Sequence, residues 1–517
     1  MKNRQTEAAW AYHNGTKHSY QSIRRAPHYL DWDNQPIPFK IYSKLDPIPL
    51  AERLSVSAMP ALAAVSAVEA PRDNQIQLAL QTLAEIFYLS GGITRRRNYG
   101  GREIQFRAAA CTGALYHIDL YLVCGDLPGL AAGVYQFDPR DFSLRKLRTG
   151  DYRGALARAS GEERAIKNAP AVIVSASTFW RNAWKYQARA YRHCYWDNGT
   201  MLANLLAAAA ARHVPARVVM GFVDREVSRL LGLDTAREAA LAFVALGDAA
   251  SQAAGPSPAV EPLAFETEPL SKTEIDYPAI RAMHEASSLE SEEEAAAWRE
   301  AKRPESGENK PEEKKAGRFF PLQPLTDGEI PLDSIETVIA RRGSTREFSR
   351  APITFAELST IVDRATRGVP ADFSHPGEAP PSDLYLIVHA VEGLPAGAYY
   401  FHRERRALEL LREGDFRREA GHLGLGQDIP ADASANVYFL ADLHRVLDRF
   451  GNRGYRAAQL EAAVMGGKLY LAAYALRLGA SGLTFFDDDV TAFFSPHAAG
   501  KSVMFLAAVG QSARRRK

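Results

Sequence analysis

Cysteine is scarce in this chain of 517 residues, and long apolar runs are missing. The three cysteines, Cys111, Cys124 and Cys194, form no CxxC pair and make no disulfide framework. The longest apolar run, from Met201 to Ala211, is interrupted and too short to cross a bilayer, and the first residues contain no apolar signal core. We therefore expect a cytoplasmic protein with no membrane contact.

An excess of charge of one sign is also missing. Lysine and arginine number 63 against 61 acidic residues, a net charge of +2, which argues against a nucleic-acid surface. There is no GxGxxG, so a nicotinamide-binding Rossmann domain is unsupported. The thirteen histidines show no HExxH or paired metal spacing, so no metal is expected.

An internal repeat organises the chain. Shifted by 264 positions, residues 119–153 align with residues 383–417 without a gap and with 16 identities in 35 positions. Unrelated segments would share roughly two identities at average residue frequencies. Each copy spans more than a hundred residues, too long for a solenoid unit. The chain is therefore a duplicated domain, and its halves are expected to pack as an internal pseudo-dimer, with further oligomerisation left open.

Composition and apolar spacing set the domain limits. We expect an extension at 1–75, a first domain at 76–250, a charged linker at 251–330 and a second domain at 331–513. Residues 285–318 are highly charged and poor in large apolar side chains, although 290–301 has helical spacing. The strand and helix signals of each half show no regular βαβ alternation. They favour two tandem α+β sandwich domains over a doubly wound sheet.

Several elements are predicted individually. Residues 76–92 and 188–212 have helical spacing, and the helix at 188–212 is apolar nearly all round its second half, so it should be buried. A buried helix recurs at 460–477. Two capping signatures open the second half, Asp333 with Glu336 and Thr354 with Glu357. Strands are expected at 119–124, 133–137, 171–176, 243–247, 384–388, 398–401, 436–441 and 503–509.

The sharpest local signal is the segment RRGSTREF, which follows a predicted helix end. It places three arginines and two hydroxyl residues within six positions: Arg341, Arg342, Ser344, Thr345 and Arg346. Guanidinium groups match phosphate oxygens bidentately, and hydroxyls add further donors. The cluster suits a mononucleotide phosphate. A solvated basic turn is the alternative that spacing alone leaves open.

In this segment the chain resembles the nitroreductase superfamily of flavoproteins, whose flavin-phosphate motif is R-x-S-T-[RK]-x-F. The resemblance implies FMN as cofactor, with NAD(P)H as a candidate electron donor. It also implies that Arg342 and Ser344 meet the phosphate and ribityl chain. Arg346 would lie near N1 and O2 of the flavin, where a cation stabilises the anionic reduced form.

The first half carries the segment RAAACTGALYH at residues 107–117. It resembles the R-x-x-P-S-x-G-A-L-Y-P loop of the SagB-type, thiazoline-oxidase-like dehydrogenases, a branch whose dimers cover the partner's flavin with this loop. The implied flavin contacts are Arg107, Cys111, Thr112, Gly113, Ala114 and Leu115. Ala110 and His117 stand where the branch has proline, and Cys111 where it has serine. Gly113 permits close approach of a planar ring.

Two further segments resemble the same family. Lys185 and Tyr186 begin a segment similar to K-Y-G-x-R-A-Y-R, where the Lys–Tyr pair is implicated in proton transfer, so we assign both residues catalytic roles. A lysine desolvated beside an arginine has a lowered pKa and can act as a base. The alternative is that the pair only anchors a helix start. The turn at Leu483, Thr484 and Phe485 falls where the family faces flavin N5, and Thr484 would supply the N–H.

The two halves retain different parts of this pattern. The first half lacks the arginine motif, and we take residues 39–44 as its counterpart. The second half is about eleven residues shorter before Asp383 and lacks the covering loop. In a two-fold arrangement, the motif of one copy meets the loop of the other at one of two equivalent clefts. The pattern therefore predicts a single FMN site between the halves.

The predicted function is FMN-dependent oxidoreduction, with hydride passing through flavin N5. The substrate is either an azoline in a modified peptide or a small electron-poor molecule reduced at the expense of NAD(P)H, and the residues do not choose between them. A different class of function is a catalytically decayed scaffold that binds a modified peptide or another partner. A third alternative is that the flavin itself is the substrate and is degraded.

Overall fold

The structure is a computed structural model. It describes residues 2–25, 28–51, 54–68, 78–100, 102–249, 253–263, 265–301, 317–374, 378 and 380–513.

Helices cover both faces of two sheets and join the two halves. In the first half and the connection they are α1 (Glu7–Gly15), α2 (Tyr20–Arg25), α3 (Ala61–Ser66), α4 (Leu80–Gly91), α5 (Arg153–Ala159), α6 (Arg164–Asn168), α7 (Phe179–Tyr186), α8 (Ala190–Ala211), α9 (Asp224–Leu231), α10 (Pro278–Ala286) and α11 (Glu292–Arg299). In the second half they are α12 (Ile335–Arg341), α13 (Phe355–Thr366), α14 (Arg417–Leu423), α15 (Asp428–Asp432), α16 (Leu443–Phe450), α17 (Asn452–Ala475) and α18 (Asp487–Phe494).

Fourteen of the eighteen strands in the described residues form two antiparallel sheets of seven strands with the same topology, and the other four form two separate pairs. The first-half strands are β1 (Pro47–Pro49), β2 (Ile93–Tyr99), β3 (Arg102–Arg107), β4 (Ile118–Cys124), β5 (Gly133–Asp138), β6 (Ser143–Thr149), β7 (Ala171–Thr178), β8 (Ala216–Val219) and β9 (Glu238–Leu246). The second-half strands are β10 (Arg318–Pro321), β11 (Ile353–Thr354), β12 (Ser382–Val388), β13 (Val391–Glu392), β14 (Gly397–His402), β15 (Ala407–Glu413), β16 (Ala435–Ala441), β17 (Gly479–Gly482) and β18 (Ser502–Gly510). The orders are β1-β6-β5-β4-β7-β9-β8 and β10-β15-β14-β12-β16-β18-β17.

These matching sheets confirm the predicted tandem α+β fold. Both sheets reach further toward the amino terminus than the predicted domain limits, since β1 lies in the predicted extension and β10 in the predicted linker. The connection is also more structured than its charge suggested, because α10 and α11 bury Ile280, Met283 and Trp298. A short hairpin, β2 with β3, leads into the segment 107–117.

The long helices α8 and α17 pack against each other at the centre of the molecule, and every residue of α8 is buried. A Cβ atom built on Gly199 would lie 2.5 Å from the Cβ of Ala463, and one built on Gly467 would lie 2.6 Å from the Cβ of Ala203. The shift of 264 relates 199 to 463 and 203 to 467. Each of these residues therefore contacts the equivalent residue of the other half, as at the axis of a two-fold dimer.

Two buried ion clusters connect the halves reciprocally. Asp487 of the second half accepts hydrogen bonds from Arg189 (3.0 Å) and Arg192 (2.6 Å) at the start of α8. Asp224 of the first half binds Arg453 and Arg456 at the start of α17, each at 2.6 Å. Burial alone would raise the pKa of both carboxyls. The paired guanidinium groups outweigh it and lower the pKa of Asp224 to about 2.

One predicted helix cap is confirmed and one is wrong. Thr354 and Glu357 form the expected capping box at the start of α13. At α12 the N-cap is Ser334, whose hydroxyl accepts from the backbone N–H of Thr337. Asp333 instead forms ion pairs with Arg341 and Arg477. A carboxylate with two arginines in reach is better satisfied by charge pairing than by one backbone donor.

None of the helices within the described residues has both the length and the apolar character required to cross a membrane.

Candidate functional site

The arginine motif of the second half lies directly against the covering loop, residues 107–117, of the first half. Arg342 donates from Nε to the carbonyl of Ala108 (2.9 Å) and from Nη2 to the carbonyl of Arg107 (3.3 Å). These partners lie 234 and 235 positions away in sequence. We call the space between this motif and this loop the composite cleft.

Arg341 and Thr345 hold the motif in place. The guanidinium of Arg341 is bound by Asp333 (2.9 Å) and by the carbonyl of Tyr474 (2.7 Å), near the end of α17. Thr345 donates its N–H to the carbonyl of Ala480 (2.9 Å), and its hydroxyl lies 3.1 Å from that of Tyr474. Both side chains therefore position the turn on β17 and α17, although they were predicted to bind the cofactor.

Ser344 and Arg346 are the accessible members of the motif. Ser344 is half-buried and hydrogen-bonds Tyr470, whereas Arg346 is exposed. Burial, and secondly the charge of Arg346, lower the pKa of Lys185 in the first half. Because Coulombic influence falls with distance, this coupling indicates that Arg346 and Lys185 lie near each other across the two halves.

The covering loop turns sharply at its tip. Gly113 has φ 61°, Ala114 φ 54° and Tyr116 φ 46°, all in the left-handed region. Gly113 and Ala114 are exposed, while Leu115 is buried beneath them. A Cβ on Gly113 would lie 3.0 Å from the hydroxyl of Tyr186, so glycine is required both by the backbone and by this close approach.

Arg107 does not extend its guanidinium toward the second half. It is buried, donates to the carbonyls of Pro38 and Ile118, and stacks on the ring of Tyr116 with Cζ 5.1 Å from the ring centroid. Its own carbonyl is the group that meets Arg342. Arg107 therefore fixes the start of the loop by its side chain and contributes only backbone to the cleft.

Tyr186 lies between the loop tip and α8. Its ring packs edge-on against His193, with centroids 4.4 Å apart. Burial, and secondly the Asp197 carboxylate, raise the pKa of its phenol. The phenol therefore stays protonated at neutral pH and can donate to a group placed in the composite cleft.

Asp197 anchors the covering loop and was missed by the sequence reasoning. Its carboxylate accepts from the N–H (2.9 Å) and hydroxyl (2.7 Å) of Thr112 and contacts Nε2 of His117 (2.8 Å) and Sγ of Cys111 (3.1 Å). Burial and this carboxylate raise the pKa of the Cys111 thiol well above its usual value. The available signal was an acidic residue within a helix predicted to be buried on all sides, because such a charge requires partners.

The turn at 483–485 packs against the start of α8 from the first half. The N–H of Leu483 is bonded to Leu506, and the ring of Phe485 is buried 5.6 Å from the ring of Trp196 in α8. Thr484 is half-buried, and its hydroxyl oxygen is buried without a hydrogen-bond partner among the described residues. Arg189 stacks on Phe485 with Cζ 5.3 Å from its centroid. Side chains of both halves therefore pack together at this turn.

The pseudo-equivalent cleft on the other side of the two-fold axis is filled by α11. Trp298 is 1% exposed, donates from Nε1 to the carbonyl of Phe450 (2.9 Å) and packs on its ring. Arg299 donates to the carbonyls of Ser160, Gly161 and Gly221. Trp298 and Arg299 therefore lie against the first-half turn around Gly221, which corresponds to the turn at 483–485 in the second half.

In this second cleft, which α11 fills and which we call the plugged cleft, a carboxylate from the second half caps the turn at residues 220–221. Asp372 accepts from the N–H groups of Met220 (2.9 Å) and Gly221 (2.8 Å). Burial raises the pKa of Asp372, and the two N–H donors offset this only in part. The backbone N–H groups of this turn thus bind an acceptor supplied across the interface.

The alignment of the two turns needs a correction of one residue. Val223 donates to the carbonyl of Ala159, and Phe486 donates to that of Leu423. Ala159 and Leu423 differ by 264, but Val223 and Phe486 differ by 263. The counterpart of Asp224 is therefore Asp487 and not Asp488, which the shift of 264 predicts from the sequence. By the same register, Gly221 corresponds to Thr484.

The predicted first-half counterpart of the arginine motif, residues 39–44, is also wrong. These residues precede β1, and Lys40 forms a buried ion pair with Glu238 at 2.8 Å. The motif lies between α12 and α13, and α3 and α4 occupy the matching places in the first half. Its counterpart is therefore within residues 67–79, of which 69–77 lie outside the described residues. The sequence there contains no R-x-S-T-R.

Comparisons with known proteins agree with this architecture. The Nitroreductase family model matches residues 107–248 and 339–510. A protein assigned as a nitroreductase from Methanocaldococcus jannaschii is 27% identical over 171 residues, covering 31% of this chain and 84% of the relative. The crystal structure of a protein assigned as a nitroreductase from Anabaena variabilis matches with a TM-score of 0.76 and 26% identity, covering 98% of this chain and 99% of that one.

The two matched segments cover more than half of the sequence, one in each half. They contain the two central helices, the covering loop and the whole arginine motif. The chain belongs to the nitroreductase family.

Proposed function

We propose that this chain is an FMN-dependent oxidoreductase with a single flavin site in the composite cleft. The observation that carries the proposal is the contact of Arg342, from the second half, with the carbonyls of Arg107 and Ala108, from the first. It joins the phosphate-type cluster to the covering loop. The family membership supports oxidoreduction, and the residues around the cleft support the finer assignment.

The residues present fit FMN. Arg346 and Ser344 are accessible at the motif, where a phosphate would find a cation and a hydroxyl donor. The exposed, side-chain-free tip at Gly113 suits a planar ring lying against backbone. The hydroxyl of Thr484, which is buried without a hydrogen-bond partner among the described residues, is a polar group that a bound ligand could satisfy. At the corresponding turn of the plugged cleft, the Gly221 N–H already binds an acceptor.

Bound FMN would supply hydride acceptance and donation at N5. The contributions of the chain are orientation, exclusion of water and proton transfer. Leu483, Thr484 and Phe485 would hold the flavin from the second half, and the loop residues Gly113, Ala114 and Leu115 would hold it from the first. Lys185 has a lowered pKa and acts as the base, while the protonated phenol of Tyr186 donates. NAD(P)H is the proposed electron donor.

The second cleft is proposed to bind no flavin. Trp298 and Arg299 fill it, and Asp372 already caps the turn that would face a flavin ring. A Cβ on Gly221 would lie 3.1 Å from a ring atom of Trp298 and 2.9 Å from the side chain of Arg299. A planar cofactor therefore has no room at this turn.

The test is the flavin content of the purified chain. We expect about one FMN per chain, released by denaturation and counted by absorbance, and we expect NAD(P)H to bleach the bound flavin. Two FMN per chain would contradict the single site. A colourless protein that takes up no added FMN would contradict the proposal and favour the scaffold. A flavin product altered under oxygen would instead favour flavin degradation.

Replacing Lys185 by methionine should lower kcat by at least about 100-fold, the usual contribution of a positioned general base, without changing FMN content. Activity should rise with pH through the lowered pKa of Lys185, because only the neutral amine accepts a proton. In the Arg346→Ala variant at saturating FMN, this limb should move to higher pH, since the repelling charge is gone. Steady-state pH profiles measure both effects.

The matched control is Lys167→Met, which removes an exposed lysine paired with Glu162 in the first half. Its kcat should equal that of the parent. Unchanged kcat in Lys185→Met would leave the lysine as a helix anchor only.

Replacing Asp372 by alanine should lower the free energy of unfolding by about 1–3 kcal/mol, because two buried N–H groups lose their acceptor. FMN content should stay at that of the parent, since the residue lies in the plugged cleft. Denaturant unfolding and flavin absorbance measure the two quantities. The exposed Asp448 gives the control Asp448→Ala, which should change neither. Loss of flavin from Asp372→Ala would show that the second cleft takes part in binding.

A further inference from the structure

Two departures of the covering loop from its family pattern converge in space. Cys111 replaces a serine and His117 replaces a proline, six positions apart. Both side chains lie on the carboxylate of Asp197, which comes from α8. The ligand atoms of the three residues are all within 4.8 Å of one another. The proposed flavin chemistry assigns no role to His117 or Asp197, although Cys111 belongs to the loop that is predicted to cover the flavin.

The donor set suits a transition metal. A thiolate, an imidazole and a carboxylate are the ligands that Zn²⁺ takes in tetrahedral sites, at about 2.3 Å for sulfur and about 2.0–2.2 Å for nitrogen and oxygen. In a tetrahedron these bonds place the ligand atoms about 3.3–3.6 Å apart. The cluster measures 2.8 Å from His117 Nε2 and 3.1 Å from Cys111 Sγ to the Asp197 oxygen. An opening of about half an ångström, within side-chain adjustment, would admit the ion.

Charge balance supports the same assignment. His117 is fully buried and Asp197 nearly so, and a buried divalent ion is tolerated only where anionic ligands neutralise it. A Cys111 thiolate and the Asp197 carboxylate together carry the two negative charges required. The site is not sealed from solvent, because Cys111 and Thr112 are partly exposed. A neutral metal site with access to solvent is thus compatible with this position.

The surrounding contacts orient the ligands. Nδ1 of His117 lies 2.8 Å from the hydroxyl of Ser177, which leaves Nε2 directed at the cluster. The second oxygen of Asp197 accepts from the N–H of Thr112 at 2.9 Å. The N–H of Tyr116 points at Cys111 Sγ at 3.2 Å. Such outer contacts fix the tautomer and direction of metal ligands.

The second half offers an internal comparison. The shift of 264 places Glu461 at the position of Asp197, and its carboxyl is buried with one oxygen unpartnered. Burial raises the pKa of Glu461 to about 7. Among the described residues, no cysteine or histidine forms a potential metal-binding group with Glu461. Within the described residues, the full donor set therefore occurs in the half that retains the covering loop and not in the other.

We propose that Cys111, His117 and Asp197 bind one Zn²⁺ ion that clamps the covering loop to α8. Three protein ligands leave one tetrahedral position for water or for a group in the composite cleft. The ion would hold the loop between Arg107 and His117 closed over the cleft independently of any cofactor. Zinc binding thus adds a property that the proposed oxidoreductase function does not require.

The test is metal uptake by the full-length chain without an affinity tag. After incubation with zinc chloride at micromolar concentration and desalting, we expect about one zinc per chain by mass spectrometric elemental analysis. Cobalt chloride should produce the ligand-field bands of tetrahedral Co²⁺, which lie to the red of flavin absorption. Absence of zinc uptake by the parent chain would overturn the proposal.

Variants identify the ligands. Cys111→Ser restores the hydroxyl of the family pattern and should reduce zinc to under about a tenth of an equivalent, as should Asp197→Asn. Cys124→Ser removes another buried thiol and should retain about one zinc. If Cys111→Ser retained about one zinc per chain, the assignment of Cys111 as a zinc ligand would be wrong. Circular dichroism and FMN content of Cys111→Ser separate loss of the metal from loss of the fold or of the flavin site.

Discussion

Replacing Arg342 and Arg346 together by alanine should weaken FMN binding by about 10²- to 10⁴-fold, because two charge-assisted hydrogen bonds, each of about 1.5–3 kcal/mol, are removed. The purified variant should be colourless. Equilibrium titration with FMN, followed by the quenching of flavin fluorescence, measures the change. The loss is expected to be large because the remaining arginine of the motif, Arg341, cannot replace them: it is committed to Asp333 and the carbonyl of Tyr474.

Two features make this result interpretable. Arg342 also holds the covering loop, so its removal loosens both sides of the cleft, whereas exposed Arg346 acts through its charge alone. The single variant Arg346→Ala should therefore weaken binding by about 10-fold or more without a change in stability. The control Arg418→Ala with Arg445→Ala removes the same charge from exposed positions on α14 and α16. If the double variant of the motif kept one FMN per chain, the phosphate assignment would be wrong.

Replacing Asp487 by alanine should lower the free energy of unfolding by about 3–5 kcal/mol, since it leaves Arg189 and Arg192 buried without a counter-charge. The neighbouring Asp488 is 75% exposed and pairs with Lys17 at the surface, so Asp488→Ala should cost at most about 1 kcal/mol. Denaturant unfolding of both variants measures the difference. Equal effects would contradict the corrected register, in which Asp487 and not Asp488 matches Asp224.

The same clusters predict a pH dependence of stability. The folded-state pKa of Asp487 is lowered and that of Asp224 is lowered to about 2, against an unfolded value of about 3.9. A depressed carboxyl pKa stabilises the fold above the unfolded pKa, and this contribution is lost as the pH falls through the folded one. Stability should therefore decline between about pH 4 and pH 2. Asp487→Ala should show a shallower decline over this range.

Much of the fold followed from local patterns. The repeat at 264 positions predicted two equal halves, and the apolar spacing located eight of the fourteen strands of the two sheets and both central helices. The capping box at Thr354 was predicted because its two side chains satisfy each other within one turn. Asp333 failed the same prediction because two arginines, one of them from the end of α17, compete for its carboxylate.

The candidate site was predictable in its parts but not in its contacts. The arginine motif, the covering loop and the Lys–Tyr pair each have a recognisable order of residues. The commitment of Arg341, Thr345 and Arg107 to structural hydrogen bonds was not predictable, because their partners come from distant elements. The role of Asp197 was also missed, since nothing local connects it with Cys111 and His117, 86 and 80 positions away.

The sequence by itself determined the duplication, the α+β class and the segregation of the arginine motif and the covering loop into different halves. These properties reside in composition, periodicity and local order, which need no knowledge of distant neighbours. Only the tertiary structure decided that Arg342 reaches the loop carbonyls, that α11 fills the opposite cleft and that Asp372 caps its turn. Each of these depends on packing between segments far apart in the chain, where burial and charge compensation select partners that no local pattern specifies.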